Sequence, residues 1–242
     1  MDSRQKAQAL ILAGKVRVDG KKIDKPGHLV TEEAHFEVEL GPQYVSRGGI
    51  KMAAALERFE IDVTGKICLD VGTSTGGFTD CLLQHGARCV HAVDTGSGQI
   101  DWKLRTDPRV ILHERTNARY LTLADVGEQV DFIACDVSFI SVTLLISPLA
   151  PLLLPSGDWI ILVKPQFEVG RELVGKGGIV RDTIAHRQAC EKVMAAMQDL
   201  GFFTVLIESP ILGAEGNREF LLHATANKNQ NRARKQAGIE AP

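Results

Sequence analysis

Hydrophobic and polar positions change their period along the chain. From Ile67 onward, short apolar runs rich in β-branched residues alternate with stretches at helical spacing, the pattern of a parallel sheet covered by helices on both faces. Strands are predicted at Ile67–Val71, Cys89–Asp94, Val110–His113, Val130–Asp136, Asp158–Val163, Phe203–Glu208 and Glu219–Ala224, and helices at Lys51–Phe59, Thr79–Gln84, part of Val142–Leu154, and Thr183–Leu200. The last two strands are joined by a short connection holding Pro210 and Gly213. It is too brief for a crossover helix, so they should pair antiparallel. The fold class is α/β, a seven-stranded mostly parallel sheet with one antiparallel strand.

Residues before that run read differently. Ser3 is placed to cap a helix over Arg4–Ala13, with Ala7, Leu10 and Ile11 as its apolar face and Gly14 as its stop. Val16 and Val18 alternate with Lys15 and Arg17, Asp19-Gly20 is a hairpin signal before Lys21-Lys22-Ile23, and Phe36–Leu40 reads as a third strand ended by Gly41-Pro42. The prediction is a small α+β unit.

Charge matters by segment. The 242 residues carry 28 Lys+Arg against 30 Asp+Glu, a net of −2, which excludes nucleic-acid binding through bulk positive charge. Residues 1–25 nevertheless hold seven basic side chains against three acidic ones, a net of +4. Residues 227–242, with Lys228, Arg232, Arg234 and Lys235, are expected to form a basic disordered tail. The five cysteines show no CxxC pair and sit mostly in apolar runs, as reduced thiols in a cytoplasmic protein do. The longest apolar stretch, Leu144–Leu154, is broken by Pro148 and Pro151, and neither a membrane span nor a metal site is expected.

The sharpest chemical signal is Leu69-Asp70-Val71-Gly72-Thr73-Ser74-Thr75-Gly76-Gly77-Phe78-Thr79-Asp80, a strand running through a Gly-rich turn into a helix. The spacing is not that of a dinucleotide fingerprint, Asp70 would repel a diphosphate, and no Lys follows the glycines as a nucleoside-triphosphate loop requires. Asp94, ending the second strand 24 positions after Asp70, suits ribose hydroxyls. A cationic, ribose-bearing cofactor fits these residues: S-adenosylmethionine.

The turn resembles the cofactor motif of class I S-adenosylmethionine-dependent methyltransferases, whose Rossmann-like sheet matches the predicted strands. The resemblance implies that Asp70, Gly72, Thr73, Ser74, Thr75, Gly76, Gly77 and Phe78 line the methionine side. It also implies that Asp94 takes the ribose hydroxyls, that Asn117 lies near the adenine, and that Asp136 sits where cofactor and substrate meet.

After the fourth strand of the run comes Cys135-Asp136-Val137-Ser138-Phe139, neither the Asp/Asn-Pro-Pro-aromatic run of amino-group methylation nor the Pro-Cys pair of pyrimidine-carbon attack. Lys51, Asp136, Lys164 and Glu219 instead fall at element ends along the crevice of an open α/β sheet. Singly each would be an ordinary surface charge. Jointly they resemble the tetrad of FtsJ/RrmJ-like RNA 2′-O-methyltransferases. On that reading Lys164 is the base for a weakly nucleophilic ribose hydroxyl, if desolvation and nearby Lys51 lower its pKa, with Asp136 and Glu219 positioning the amines.

The segments from Ser3-Arg4-Gln5-Lys6-Ala7 to Gly20, with Tyr44-Val45-Ser46-Arg47-Gly48-Gly49-Ile50-Lys51, Lys164-Pro165-Gln166-Phe167-Glu168 and Gly177-Gly178-Ile179-Val180-Arg181-Asp182, together resemble the TlyA family, also labelled hemolysin A. That resemblance implies cytidine 2′-O-methylation in ribosomal RNA by an FtsJ-like domain fused to the RNA-binding domain of ribosomal protein S-four. The family domain opens with one more helix, so residues 1–43 are expected to be a partial RNA-binding domain. Residues 44–50 would form a linker, 51–226 the methyltransferase domain and 227–242 the tail. Arg4, Lys6, Lys15, Arg17, Lys21 and Lys22 suit a phosphate backbone, or are a solvated charged face. Lys176 and Arg181 add RNA contacts, or belong to a flexible loop. Two rival classes are a membrane-lytic protein, for which no amphipathic cationic helix speaks, and a non-catalytic ribosome assembly factor.

Overall fold

The computed structural model describes residues 3–39, 41–213 and 215–226, which fall into two compact units divided after Gln43. The predicted basic tail and Leu40, the last residue of the predicted third strand, lie outside the described residues.

In the first unit, helix α1 (Arg4–Leu12) is capped by Ser3, whose hydroxyl accepts the Lys6 amide at 3.2 Å, and Gly14 ends it at φ +65°. Strand β1 (Val16–Val18) lies between β2 (Lys21–Ile23) and β3 (Phe36–Val38), antiparallel to both. Asp19 and Gly20 both adopt positive φ, 48° and 77°, as a two-residue hairpin turn of matching twist demands. Only Val16 and Val18 are buried among the apolar side chains of this unit's helix and strands.

The second unit is a seven-stranded sheet in the order β6-β5-β4-β7-β8-β10-β9. Its strands are β4 (Ile67–Val71), β5 (Cys89–Val93), β6 (Val110–His113), β7 (Val130–Cys135), β8 (Leu153–Val163), β9 (Phe203–Glu208) and β10 (Phe220–Thr225). β10 runs antiparallel to both β8 and β9, and the other pairs are parallel. Every residue of β4 is buried, because helices cover both faces. Helices α2 (Gly48–Arg58) and α3 (Gly77–Gln84) pack Met52, Ala55, Phe78 and Leu82 with Cys68, Phe132 and Ile160 on one face. On the other, α6 (Thr143–Leu149) and α8 (Thr183–Gln198) pack Leu145, Ile146, Val193 and Met197 with Leu69, Ile133 and Ile161. Three four-residue helices, α4 (Trp102–Arg105), α5 (Leu123–Val126) and α7 (Pro165–Glu168), occupy connections. Among the described residues, no helix is long and apolar enough to cross a membrane.

Two boundaries depart from the pattern reading for a physical reason. Helix α2 begins at Gly48 rather than Lys51, through two glycines that disfavour helix intrinsically. Tertiary packing overrides that preference: a Cβ on Gly49 would stand 2.2 Å from the Tyr44 side chain, and one on Gly77 would stand 2.9 Å from the Gly49 amide nitrogen. Strand β8 starts at Leu153 rather than Asp158, crossing Pro155 and Gly157, and its pairing with β7 is irregular between Val130 and Phe132, where a proline is tolerated.

Candidate active site

The site is built where strands β4, β5, β7 and β8 end. The Gly72 amide donates to the Val93 carbonyl at 2.9 Å and the Asp136 amide to the Val71 carbonyl at 2.9 Å, drawing three strand ends together. Gly72 adopts φ +86°, and a Cβ there would lie 2.4 Å from the Asp136 carbonyl oxygen, so this approach needs glycine. Two cavities, of about 810 Å³ and 600 Å³, open at this point and share Gly72, Ser74, Asp136, Ser138 and Phe139 as walls.

The smaller cavity is lined by Asp94, Gly96, Gln99, Asn117 and Arg119, among others. Asp94 is fixed by its own backbone surroundings: Oδ2 accepts the Ser74 amide at 2.8 Å and Oδ1 the Gly96 amide at 2.7 Å. Asn117 Oδ1 accepts the Arg119 amide at 3.1 Å, capping a single 3₁₀ turn. Asp70 has no exposed surface. Its Oδ2 accepts the Thr79 amide at 3.0 Å and the Thr79 hydroxyl at 2.6 Å, while Oδ1 has no hydrogen-bond partner among the described residues. Burial, opposed by the Thr79 hydrogen bonds and reinforced by the charges of Asp136 and Asp94, pushes the Asp70 carboxyl up to about 7.

Of the Gly-rich turn, Gly72, Thr73, Ser74, Thr75, Gly77 and Phe78 line the larger cavity. Asp70 and Gly76 do not line either cavity. Gly76, at φ +95°, is required by packing instead, because a Cβ would stand 2.3 Å from Leu104 Cδ1.

The four charged residues singled out in the sequence all line the larger cavity, and they stand there as two ion pairs. Lys51 Nζ lies 2.5 Å from Glu219 Oε2, with the two side chains 9% and 4% exposed. Lys164 Nζ lies 2.6 Å from Asp136 Oδ1 and donates to the Ser138 hydroxyl at 2.8 Å. Each acid therefore has its own amine, a division that residue order along the chain does not reveal.

Sequence reasoning passed over several wall residues. Ser138 holds Lys164; Phe139 is 89% exposed at φ +67°, its ring centroid 5.3 Å from that of Phe167; Arg47 stands exposed on the same cavity. The signal for Phe139 was an aromatic residue three positions after a strand-end acid. Lys176 and Arg181 are exposed on the segment between α7 and α8, and in the first unit Arg4, Lys6, Arg17, Lys21 and Lys22 are exposed while Lys15 is half-buried.

Comparison with known proteins gives this geometry a lineage. Residues 44–226 match the model of the FtsJ-like methyltransferases, and residues 1–35 match the S4 domain. The chain is 45% identical over 223 residues, 91% of its length, to the 16S/23S rRNA (cytidine-2′-O)-methyltransferase TlyA of Mycobacterium tuberculosis, of which 83% is covered. It is 44% identical over 228 residues to hemolysin A of Brachyspira hyodysenteriae, covering 92% of this chain and 93% of that one. A crystal structure of a hemolysin-named protein from Lactococcus lactis superposes with a TM-score of 0.75 at 43% identity, covering 82% of this chain and 100% of that chain. The chain belongs to the FtsJ-like methyltransferase family, in the branch that contains TlyA and hemolysin A.

Proposed function

We propose that this chain transfers the methyl group of S-adenosylmethionine to a ribose 2′-hydroxyl of ribosomal RNA, with cytidine as the target nucleoside, in the cytoplasm. The observation that carries the reading is the placement of two Lys–acid pairs on one cavity that adjoins a second, acid-bearing cavity at Gly72 and Asp136. The names borne by the Mycobacterium tuberculosis and Campylobacter jejuni relatives, both cytidine-2′-O-methyltransferases of ribosomal RNA, support the substrate.

The residues present fit the cofactor. Asp70, Asp94 and Asp136 are close enough for the latter two to raise the first, and such an acid cluster suits a cation and disfavours a diphosphate. The buried, unpartnered Asp70 Oδ1 and the Gly72 backbone, where no Cβ fits, are further marks of a cradle for a ligand. Asp94 would hold ribose hydroxyls, Asn117 the adenine, and Gly72 to Phe78 the methionine side, with Asp70 acting from beneath. When bound, S-adenosylmethionine supplies an electrophilic methyl group.

The protein's own contribution is alignment and proton handling. Lys164, held by Asp136 and Ser138, receives the proton of the ribose hydroxyl at Nζ when it meets the substrate as the free amine, and passes it to solvent. Lys51 and Glu219 line the same cavity and fix the hydroxyl's approach, since a displacement at carbon depends chiefly on orientation. Residues 1–43 act as the RNA-binding domain, with Arg4, Lys6, Lys15, Arg17, Lys21 and Lys22 on phosphates; residues 44–50, expected as a linker, go with 51–226 in the catalytic domain, because Tyr44 packs in its core and α2 opens at Gly48; Lys176 and Arg181 add phosphate contacts.

The test is radiolabelled methyl transfer to ribosomal subunits from cells lacking the protein, followed by mapping of the modified nucleoside. Label on a cytidine ribose supports the reading. Label on a base, or none on any ribosomal particle, overturns it.

A further inference from the structure

Phe139 is the most exposed aromatic ring on the cavity wall, yet its backbone sits in the left-handed region, which is strained for a residue with a Cβ. A strained residue with a solvent-facing side chain keeps its place only if the segment is held at both ends. The first end is the Asp136 amide on the Val71 carbonyl. The second is a buried carboxylate from another loop.

Glu168 closes α7, the turn that follows Lys164 and carries Phe167. Its side chain is 2% exposed and reaches the start of α6. Oε1 accepts the Val142 amide at 2.7 Å, and Oε2 accepts the Ser141 hydroxyl at 2.5 Å. Ser141 is itself a capping residue type, able to serve a helix start locally. Here its hydroxyl is turned to Glu168 instead. Lys192, from α8, stands 3.2 Å from Oε2 and also donates to the Glu168 carbonyl at 2.8 Å, so the buried carboxylate has a countercharge.

One carboxylate thus fastens two strand-end loops. One carries Asp136, Ser138 and Phe139, and the other carries Lys164 and Phe167. Glu168 lines neither cavity, so it is placed to act through the loops it holds. We infer that Glu168 is a positioning residue for methyl transfer, a latch that sets the spacing of Lys164 against the Asp136–Phe139 segment and of the two aromatic rings at the cavity wall. The inference rests on the methyltransferase reading above for its activity readout and on the geometry alone for its exchange readout.

Glu168→Ala, Glu168→Gln and Lys192→Met are compared in the full chain by amide hydrogen exchange, cofactor binding and steady-state methyl transfer. Glu168→Ala should raise exchange across residues 137–145 at least about tenfold and lower kcat about tenfold to a hundredfold, with KM and cofactor affinity nearly unmoved, the signature of misplacement rather than lost binding. Glu168→Gln keeps an acceptor for the Val142 amide and a polar partner for Ser141, and should restore most of kcat. Lys192→Met leaves the carboxylate without its countercharge and should lower Tm and loosen residues 137–145 to a smaller extent than Glu168→Ala. If Glu168→Ala does not fold, Ser141→Ala removes one leg of the latch and should show the same local exchange with a smaller loss of kcat. Unchanged exchange at 137–145 in Glu168→Ala overturns the inference, as does a wild-type kcat in that variant. Absence of methyl transfer by the wild-type protein instead overturns the functional reading.

Discussion

Lys164 and Asp136 follow the ends of the adjacent parallel strands β8 and β7, and their side chains meet with Nζ 2.6 Å from Oδ1. Asp136 is also a wall of both cavities, so the amine is held at the boundary between the proposed cofactor and substrate spaces. Ser138 supplies a second fixed contact at 2.8 Å, leaving the amine a defined direction.

Removing that amine should separate chemistry from binding. Lys164→Ala is expected to bind S-adenosylmethionine with affinity close to wild type and to lose about 10²- to 10⁴-fold in methyl transfer, the range for a general base. Calorimetry and single-turnover labelling measure the two quantities on the same preparation. Undiminished ribosomal RNA methylation would remove Lys164 from the mechanism.

Lys51 and Glu219 make a different kind of pair, buried to 9% and 4% exposure. Removing one partner leaves an uncompensated charge, so Glu219→Ala should cost about 3–5 kcal/mol in stability. Replacing both, as Lys51→Met with Glu219→Leu, should restore most of that stability while activity stays lost. Urea unfolding of the single and double variants decides it; additive losses would mean that the charges do not interact.

The strands were legible because each is a short, mostly apolar run, and the central ones, β4, β7 and β10, are buried almost throughout. That the four charged residues share one cavity was legible because Asp136, Lys164 and Glu219 stand beside strand ends and Lys51 lies in the first turns of α2. Their pairing was not, since Lys51 and Glu219 are brought together from opposite ends of the domain by the antiparallel insertion of β10. Helix α2 was misplaced by three residues because Gly48 and Gly49 answer to α3 and Tyr44 rather than to local propensity. Glu168 was quoted in the sequence only as part of a motif. Its role depends on Val142 and Ser141 across a loop, contacts that no periodicity encodes.

The glycines of the turn give a steric prediction. A Cβ on Gly77 would lie 2.2 Å from Ser46 Oγ and 2.9 Å from the Gly49 amide nitrogen, and the latter is backbone that cannot rotate away. Gly77→Ala should therefore destabilise the second unit by about 1–3 kcal/mol, the range for overpacking. Gly27→Ala, where nothing stands within 4 Å, should stay within about 0.5 kcal/mol of wild type. Paired denaturation curves check both, and equal midpoints would show that α2 and α3 can part at no cost.

Asp70 makes stability depend on pH in an unusual direction. Its carboxyl is raised from 3.8 to about 7, chiefly by burial. Between those values the native state keeps a proton that the unfolded chain has released, so the unfolded state binds fewer protons and stability falls as pH rises. The contribution is fully present below the unfolded value and is lost as pH passes through the folded one, over a span of up to about 4 kcal/mol. Asp70→Asn removes the charge while keeping an acceptor for Thr79, so its stability relative to wild type should rise steadily from pH 4 to pH 8. Taking that difference cancels the titration of every other group common to the two proteins. A cationic cofactor beside Asp70 favours the ionised form, so wild-type affinity for S-adenosylmethionine should increase through pH 7, and that of Asp70→Asn should not. A stability difference that stays flat across the range would place the ionised carboxylate in the native state at all these pH values, and the buried acid would then be compensated by a partner that its two Thr79 hydrogen bonds do not supply.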